Sequence, residues 1–269
     1  MRRIILALGL IGLCTAAPAQ DARLTSLDTG DDARGWEAVG RLDIDGKGFC
    51  TGALIAPDLV LTAAHCLFDR ASGAVVDPAR IVFQAGLRNG RALAYRDVRR
   101  AVAHPDYVYS GAVSAQATQY DLALLQLVQP IRSTSIIPFE TASEIGEGAQ
   151  VAVVSYAFDR PDAPSLQEVC DVVGVQSGVI VFTCNVDFGS SGAPIFQVSD
   201  GRARIVSVVS AKAEMDGNRV ALGISLAAPL ALLRDLIGGA GLLASPPGQV
   251  RVITPGQRVE TGAKFVSRP

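Results

Sequence analysis

Histidine is almost missing from this sequence, with two in 269 residues, and tryptophan occurs once. Each histidine can therefore be weighed individually as a base. Charge is also sparse: 19% of residues are charged, the formal net charge is -2 and the pI is near 5.7. No cluster of Lys and Arg offsets this, so there is no electrostatic case for a nucleic-acid partner. No CxxC pair occurs among the five cysteines, which argues against a thiolate zinc site, and no metal or cofactor is expected. Apart from Ile4 to Leu13 near the amino terminus there is no long apolar run. Even that one falls short of the roughly 20 residues a membrane span requires, so no stable membrane insertion is expected.

The chain is instead rich in short apolar stretches punctuated by 27 glycines and 14 prolines, with 49% hydrophobic residues overall. That pattern predicts many short strands around one large core or two smaller ones. The first residues read as an export signal: Arg2-Arg3, then the apolar run, then Ala17-Pro18-Ala19 at the positions a signal peptidase reads. Residues 1–19 are the expected signal peptide, and a secreted or periplasmic destination follows. Cleavage there removes Cys14 and leaves Cys50, Cys66, Cys170 and Cys184. An even number in an exported chain suggests two disulfides. Of the three possible pairings, the two local ones are expected, Cys50-Cys66 and Cys170-Cys184.

Residues 20–35 are polar and read as a surface arm. Strands are expected at Trp36 to Ile44, Phe49 to Ile55, Leu59 to Thr62 and about Ala92 to Val102, and in the apolar run after Asp121. Residues 130–138 contain two prolines and little periodicity, as expected of a crossover between two halves. A second set is expected at Gln150 to Tyr156, Leu166 to Val175, Val179 to Thr183, Ala193 to Val198, Arg204 to Ala211 and Val220 to Ser225. Leu226, Leu230, Leu233 and Ile237 fall at helical spacing before Gly238-Gly239, which predicts a helix over 226–237. Residues 238–269 form a Gly- and Pro-rich tail with no specific motif.

Three features carry chemistry. In Gly189-Ser190-Ser191-Gly192-Ala193-Pro194, glycines flank a hydroxyl at a sharp turn and let successive N–H groups converge beside it. His65 follows Thr62-Ala63-Ala64 at a strand end, next to Cys66. Asp121 stands at the mouth of Leu122-Ala123-Leu124-Leu125, where a carboxylate must be solvated, paired or hydrogen-bonded. His104, before Pro105-Asp106, reads as structural or surface. Taken singly, each feature has an ordinary explanation in turn or strand-end chemistry.

Together, and in this order, they resemble the motifs of the chymotrypsin-like (trypsin-fold) serine endopeptidases. The likeness is greatest to bacterial V8-like glutamyl endopeptidases and covers Trp36 to Ile237. It implies an all-β fold of two antiparallel six-stranded barrels with a C-terminal helix, spanning 36–237. It further implies a monomer that hydrolyses protein or peptide substrates. By resemblance Ser191 is the nucleophile, His65 the base, and Asp121 the group that orients the imidazole. The N–H groups of Gly189 and Ser191 form the oxyanion hole. The Cys50-Cys66 pair matches a bridge common in the family. Ser190 departs from the animal relatives that carry aspartate there, which implies that their zymogen switch is not used.

The resemblance places the substrate pocket at Asn185 and Asp187, with the strand through Ser210 to Lys212 as another wall. The carboxylate expected at position 185 of an Arg- or Lys-selective enzyme is absent, and Lys212 could instead favour an acidic group. Two other readings must be tested against this one. A silent trypsin-fold binding module would show a broken triad, and none is broken here. An exported non-enzymatic sandwich would require all three motifs to be coincidental.

Overall fold

The computed structural model describes residues 24–110, 114–187 and 189–239. The expected signal peptide and most of the tail, including Val250 to Ile253, lie outside the described residues, as does Phe188. In chain order the strands of the first half are β1 (Thr25–Ser26), β2 (Val39–Ile44), β3 (Gly48–Ala56), β4 (Leu59–Thr62), β5 (Ile81–Ala85), β6 (Ala94–Ala103) and β7 (Ala123–Leu127). Those of the second half are β8 (Glu140–Thr141), β9 (Gln150–Ala157), β10 (Arg160–Gln176), β11 (Val179–Phe182), β12 (Pro194–Ser199), β13 (Arg202–Met215) and β14 (Asn218–Ile224). Two helices, α1 (Ala115–Thr118) and α2 (Ala227–Ile237), and two short 3-10 turns complete the elements.

Strands β2-β3-β4-β7-β6-β5 close into an antiparallel barrel. Its interior is built from inward residues of each strand, among them Leu42, Leu54, Val60, Phe83 and Leu125, all essentially without solvent contact. In the second half, pairing runs β9-β10-β11-β14-β13-β12 and returns from β12 to β9. The circuit closes because β10 is long enough to pair with β9 along its first part and with β11 along its last. Register shifts along β10 and β13 bend them around the corners. All-β architecture, two sets of six strands and a C-terminal helix are thus present as expected.

The expected strand at 36–44 begins later, at Val39, because Trp36 is held in a turn by its N–H to Ala33 O. Its indole packs instead on Phe139 and Phe196. The sequence reading overlooked β5, whose inward–outward alternation places Ile81, Phe83 and Ala85 in the barrel. Residues 115–118, a small and polar stretch with no helical signal in the sequence, are helical. The arm at 20–35 is more firmly attached than its polarity suggests. Thr25 and Ser26 pair with Leu166 and Ser165, Leu27 N–H donates to Pro164 O, and Leu27 and Ala33 are buried.

Helix α2 buries Leu230, Leu233 and Ile237 as its spacing predicts, and Leu226 just before it. It crosses back onto β6 and β7 of the first barrel. There the Arg100 guanidinium donates to Leu236 O and Ile237 O at 2.9 and 3.0 Å, satisfying carbonyls that the helix end leaves free. Among the described residues no helix is long and apolar enough to cross a membrane.

Candidate active site

His65 enters the site from a 3-10 turn, Ala64–Leu67, that begins where β4 ends. Cys66 on that turn is disulfide-bonded to Cys50 on β3, so the imidazole sits on a covalently stapled corner. Cys170 and Cys184 form the second bridge. Asp121 lies two residues before β7, the strand paired with β4, and the shared register delivers both side chains to one end of the barrel. Asp121 Oδ2 is 2.7 Å from His65 Nδ1, and Oδ1 accepts the His65 backbone N–H at 2.8 Å. Two contacts to one residue fix both the carboxylate plane and the ring. The Asp121 side chain is 4% exposed, so its charge depends on these partners.

A third partner is Ser210. Its hydroxyl donates to Asp121 Oδ2 at 2.5 Å. Sequence reasoning placed Ser210 in the wall of the substrate pocket, and the geometry adds a contact it did not anticipate. The β13–β14 register passes from Val209↔Gly223 to Ala211↔Leu222, which leaves Ser210 as the extra residue of a bulge. The bulge turns the hydroxyl out of the strand alternation and onto the carboxylate.

Ser191 is carried by the loop before β12. Gly189 and Gly192 take φ values of +97° and +77°, a region costly to residues with a Cβ. There is also no room for one: at Gly192 it would strike Thr62 Oγ1 and Thr51 O, and at Gly189 the Phe49 ring and Ala157 Cα. Around this turn the N–H groups of Ser190, Gly192 and Ala193 donate to Asp187 O, Val209 O and Ser190 O. Those of Gly189 and Ser191 have no acceptor among the described residues.

Thr51 of the first barrel clamps this loop. Its N–H donates to Ser191 O at 2.8 Å, and its hydroxyl donates to Gly189 O at 2.9 Å while accepting from Tyr156 N–H at 3.1 Å. Ser190, where the sequence departs from the zymogen-type relatives, is fully buried, with its hydroxyl bonded to Ser155 Oγ and Tyr156 O. An uncharged residue is therefore well accommodated. Neither Thr51 nor Ser155 was singled out from sequence, because a small hydroxyl residue within a strand has no distinguishing pattern.

His65, Asp121, Ser191, Ser210, Asp187 and Lys212 all line one cleft of about 500 Å³. Ser191 makes no hydrogen bond to His65 among the described residues, where the His65 ring is held by Asp121. Asn185, expected in the substrate pocket, does not line the cleft. From Thr183 to Asp187 exposure alternates outward and inward, so Cys184 and Val186 point in and Asn185 points out, its N–H bonded to Gln167 Oε1 at 2.7 Å. Val186 takes its place in the wall. Lys212 Nζ, expected to attract an acidic group, lies 2.8 Å from Asp187 Oδ1, so its charge is already balanced.

His104 is buried, stacked on Tyr120 at 4.9 Å, and accepts the Asp106 N–H at Nδ1. Burial pushes its pKa below the ordinary imidazole value, against the smaller opposing effect of Asp106. This agrees with a structural role. Among the described residues Cys50, His65 and Cys66 bring three potential metal donors together. The two sulfurs are bonded to each other, which leaves only the imidazole.

Comparison with known proteins agrees with this geometry. Residues 50–204, more than half of the chain, match the model of the trypsin-like peptidase domain. A glutamyl endopeptidase of Bacillus licheniformis is 27% identical over 156 residues, covering 58% of this chain and 47% of the relative. A tryptase of Mus musculus is 33% identical over 159 residues, covering 54% of this chain and 53% of the relative. The chain thus spans about half the length of these curated relatives. A solved Glu endopeptidase in complex with MPD superposes with a TM-score of 0.62 at 19% identity, covering 81% of this chain and 97% of that one, a likeness in fold. With its closed barrel, its glycine-flanked serine turn and the family model matched over 50–204, this chain belongs to the trypsin-like peptidase family.

Proposed function

We propose that this protein is an exported serine endopeptidase acting through His65, Asp121 and Ser191. The observation that carries the reading is the 2.7 Å contact between Asp121 and His65 Nδ1 in the cleft that also holds Ser191. That contact leaves His65 Nε2 as the ring nitrogen available to Ser191. In the first step Ser191 Oγ attacks the scissile carbonyl and His65 takes the hydroxyl proton. The imidazolium so formed is stabilised by Asp121, whose charge Ser210 and the His65 N–H help to hold.

The oxyanion of the tetrahedral intermediate is received by the unengaged N–H groups of Gly189 and Ser191. One such donor contributes roughly 3–4 kcal/mol to transition-state stabilisation in comparable enzymes. His65 then returns its proton to the leaving amine, and the acyl-enzyme forms as the C–N bond breaks. Water, deprotonated by the same imidazole, attacks the ester and regenerates Ser191. Export is supported by the N-terminal pattern Arg2-Arg3, Ile4 to Leu13 and Ala17-Pro18-Ala19, and by the two disulfides. Protein or peptide substrates and a monomeric state follow from the same reading.

Labelling with a fluorophosphonate tests the mechanism directly. The exported wild type should label once, and Ser191→Ala should not. Labelling that persists in Ser191→Ala would move the nucleophile elsewhere. A wild type that neither labels nor cleaves peptides would make the chain a trypsin-fold binding module instead.

A further inference from the structure

Ser190 stands between the two N–H groups assigned to the oxyanion hole, those of Gly189 and Ser191. Gly189, at φ +97°, has no Cβ to resist rotation, so restraint on this loop must come from its neighbours. Three restraints act on the backbone: Gly189 O accepts from the Thr51 hydroxyl, Ser190 N–H donates to Asp187 O at 2.9 Å, and Ser190 O accepts from Ala193 N–H at 2.9 Å. The fourth is a side chain. Ser190 is without solvent contact, and its hydroxyl faces β9, with Ser155 Oγ at 3.1 Å and Tyr156 O at 3.3 Å, while Asp187 N–H approaches it at 3.4 Å.

Ser155 is equally buried. Its Oγ accepts from Ser190 on one side and from Arg160 Nη2 at 3.3 Å on the other. Arg160 opens β10, its side chain is 17% exposed, and its Nη1 donates to the exposed Asp159 at 3.0 Å. A line of side chains thus runs from the surface turn between β9 and β10, through Ser155, to the residue between the two oxyanion donors. No step of the proposed reaction uses it.

We propose that Ser155, acting through Ser190, is a positioning residue for the oxyanion hole. This rests on the endopeptidase reading above. The Ser191 N–H shares a peptide plane with Ser190 O, so reorienting that donor, or turning the loop about Gly189, displaces Ser190. Anchored to β9, Ser190 resists the displacement, because its hydroxyl would give up the bond to Ser155 in a setting closed to water. The donors are then fixed before a substrate carbonyl arrives, the condition under which they favour the developing charge. Ser155 touches neither substrate nor reacting atoms, so its loss should spare binding and weaken the transition state alone.

Ser207 supplies a matched control. It too is a fully buried serine of the second set of strands, and its hydroxyl donates to Ile224 O and accepts from Ile224 N–H, both at 2.9 Å.

The experiment uses the full chain exported from its own leader, with active sites counted by fluorophosphonate labelling run to completion and folding followed by urea midpoints. Kinetics are measured on a fluorogenic peptide amide that the wild type cleaves. Inhibition is measured with the trifluoromethyl ketone of the same peptide, whose adduct with Ser191 places an oxyanion in the hole. Ser155→Ala should lower kcat about tenfold, leave KM within about twofold and weaken the ketone about tenfold. Ser190→Ala should lose at least as much, and the double variant no more than Ser190→Ala alone. Ser207→Ala should lower the urea midpoint but hold kcat and ketone inhibition within about twofold of the wild type. Equal losses of kcat in Ser155→Ala and Ser207→Ala, an unchanged ketone affinity, or additive losses in the double variant overturn the positioning role and leave the endopeptidase reading standing. If Ser155→Ala is not recovered folded, Ser190→Ala carries the same comparison with Ser207→Ala. A wild type that neither labels nor cleaves overturns the endopeptidase reading, and the positioning role with it.

Discussion

The backbone N–H of Thr51 donates to the carbonyl oxygen of Ser191 at 2.8 Å. This single bond joins a strand of the first barrel to the residue proposed as nucleophile on the second. The Thr51 hydroxyl adds Gly189 O and Tyr156 N–H to the same junction. Base and acid come from one barrel and the serine from the other, so their relative position depends on how the barrels are locked.

Thr51→Val tests that lock. The variant keeps the shape and the bond to Ser191 O but strands Gly189 O and Tyr156 N–H in a buried setting. Chemical denaturation should show a loss of about 1–3 kcal/mol. Peptidase activity should fall further than the folded fraction does, because Gly189 is an oxyanion donor in the proposed mechanism. Unchanged activity per folded molecule would mean that the clamp does not position the loop.

Gly192 and Gly201 provide a paired comparison. Both have positive φ, +77° and +70°, but a Cβ at Gly201 has no neighbour within 4 Å, whereas at Gly192 it meets Thr62 Oγ1 and Thr51 O. Gly201→Ala should cost only the backbone term, about 1 kcal/mol. Gly192→Ala should cost at least about 2 kcal/mol and abolish activity. Equal urea midpoints for the two would show that close packing at Gly192 is not what requires glycine.

Ser210 is expected to act through Asp121. Ser210→Ala removes a donor to a nearly buried carboxylate, and kcat should drop roughly tenfold with KM little changed. Ser210→Thr keeps a hydroxyl and should retain more of kcat. A variant that raises KM alone would place Ser210 in substrate binding rather than in holding the carboxylate.

His104 predicts a pH-dependent stability. Its folded pKa lies below the ordinary value because burial disfavours the imidazolium. Between those two values the unfolded chain binds a proton that the folded chain does not, so stability falls as pH is lowered through that window. Above about pH 6.5 the residue contributes no slope. Urea midpoints at about pH 8, 6 and 5 should decline less for His104→Gln than for the wild type over the acid step. Parallel curves would show that His104 ionises alike in both states.

The triad candidates were legible in the sequence because each carries a local signature: glycines around Ser191, a strand end and a cysteine beside His65, a carboxylate at the mouth of an apolar run for Asp121. The buried face of α2 was legible too, since Leu230, Leu233 and Ile237 repeat at helical spacing. Patterns of this kind depend only on neighbours in the chain, so the sequence by itself determined the all-β class, the helix and the residues worth suspecting. Only the tertiary structure decided how they meet. Asn185 points away because Cys184 and Val186 take the inward positions. Ser210 reaches Asp121 because a register shift with β14 leaves it unpaired, and Lys212 is neutralised by Asp187 across 25 positions of sequence. Thr51 becomes a clamp through backbone groups, which every residue possesses. Register, bulges and main-chain hydrogen bonds are set by strands far apart in the chain and leave no mark on the side-chain pattern of either one.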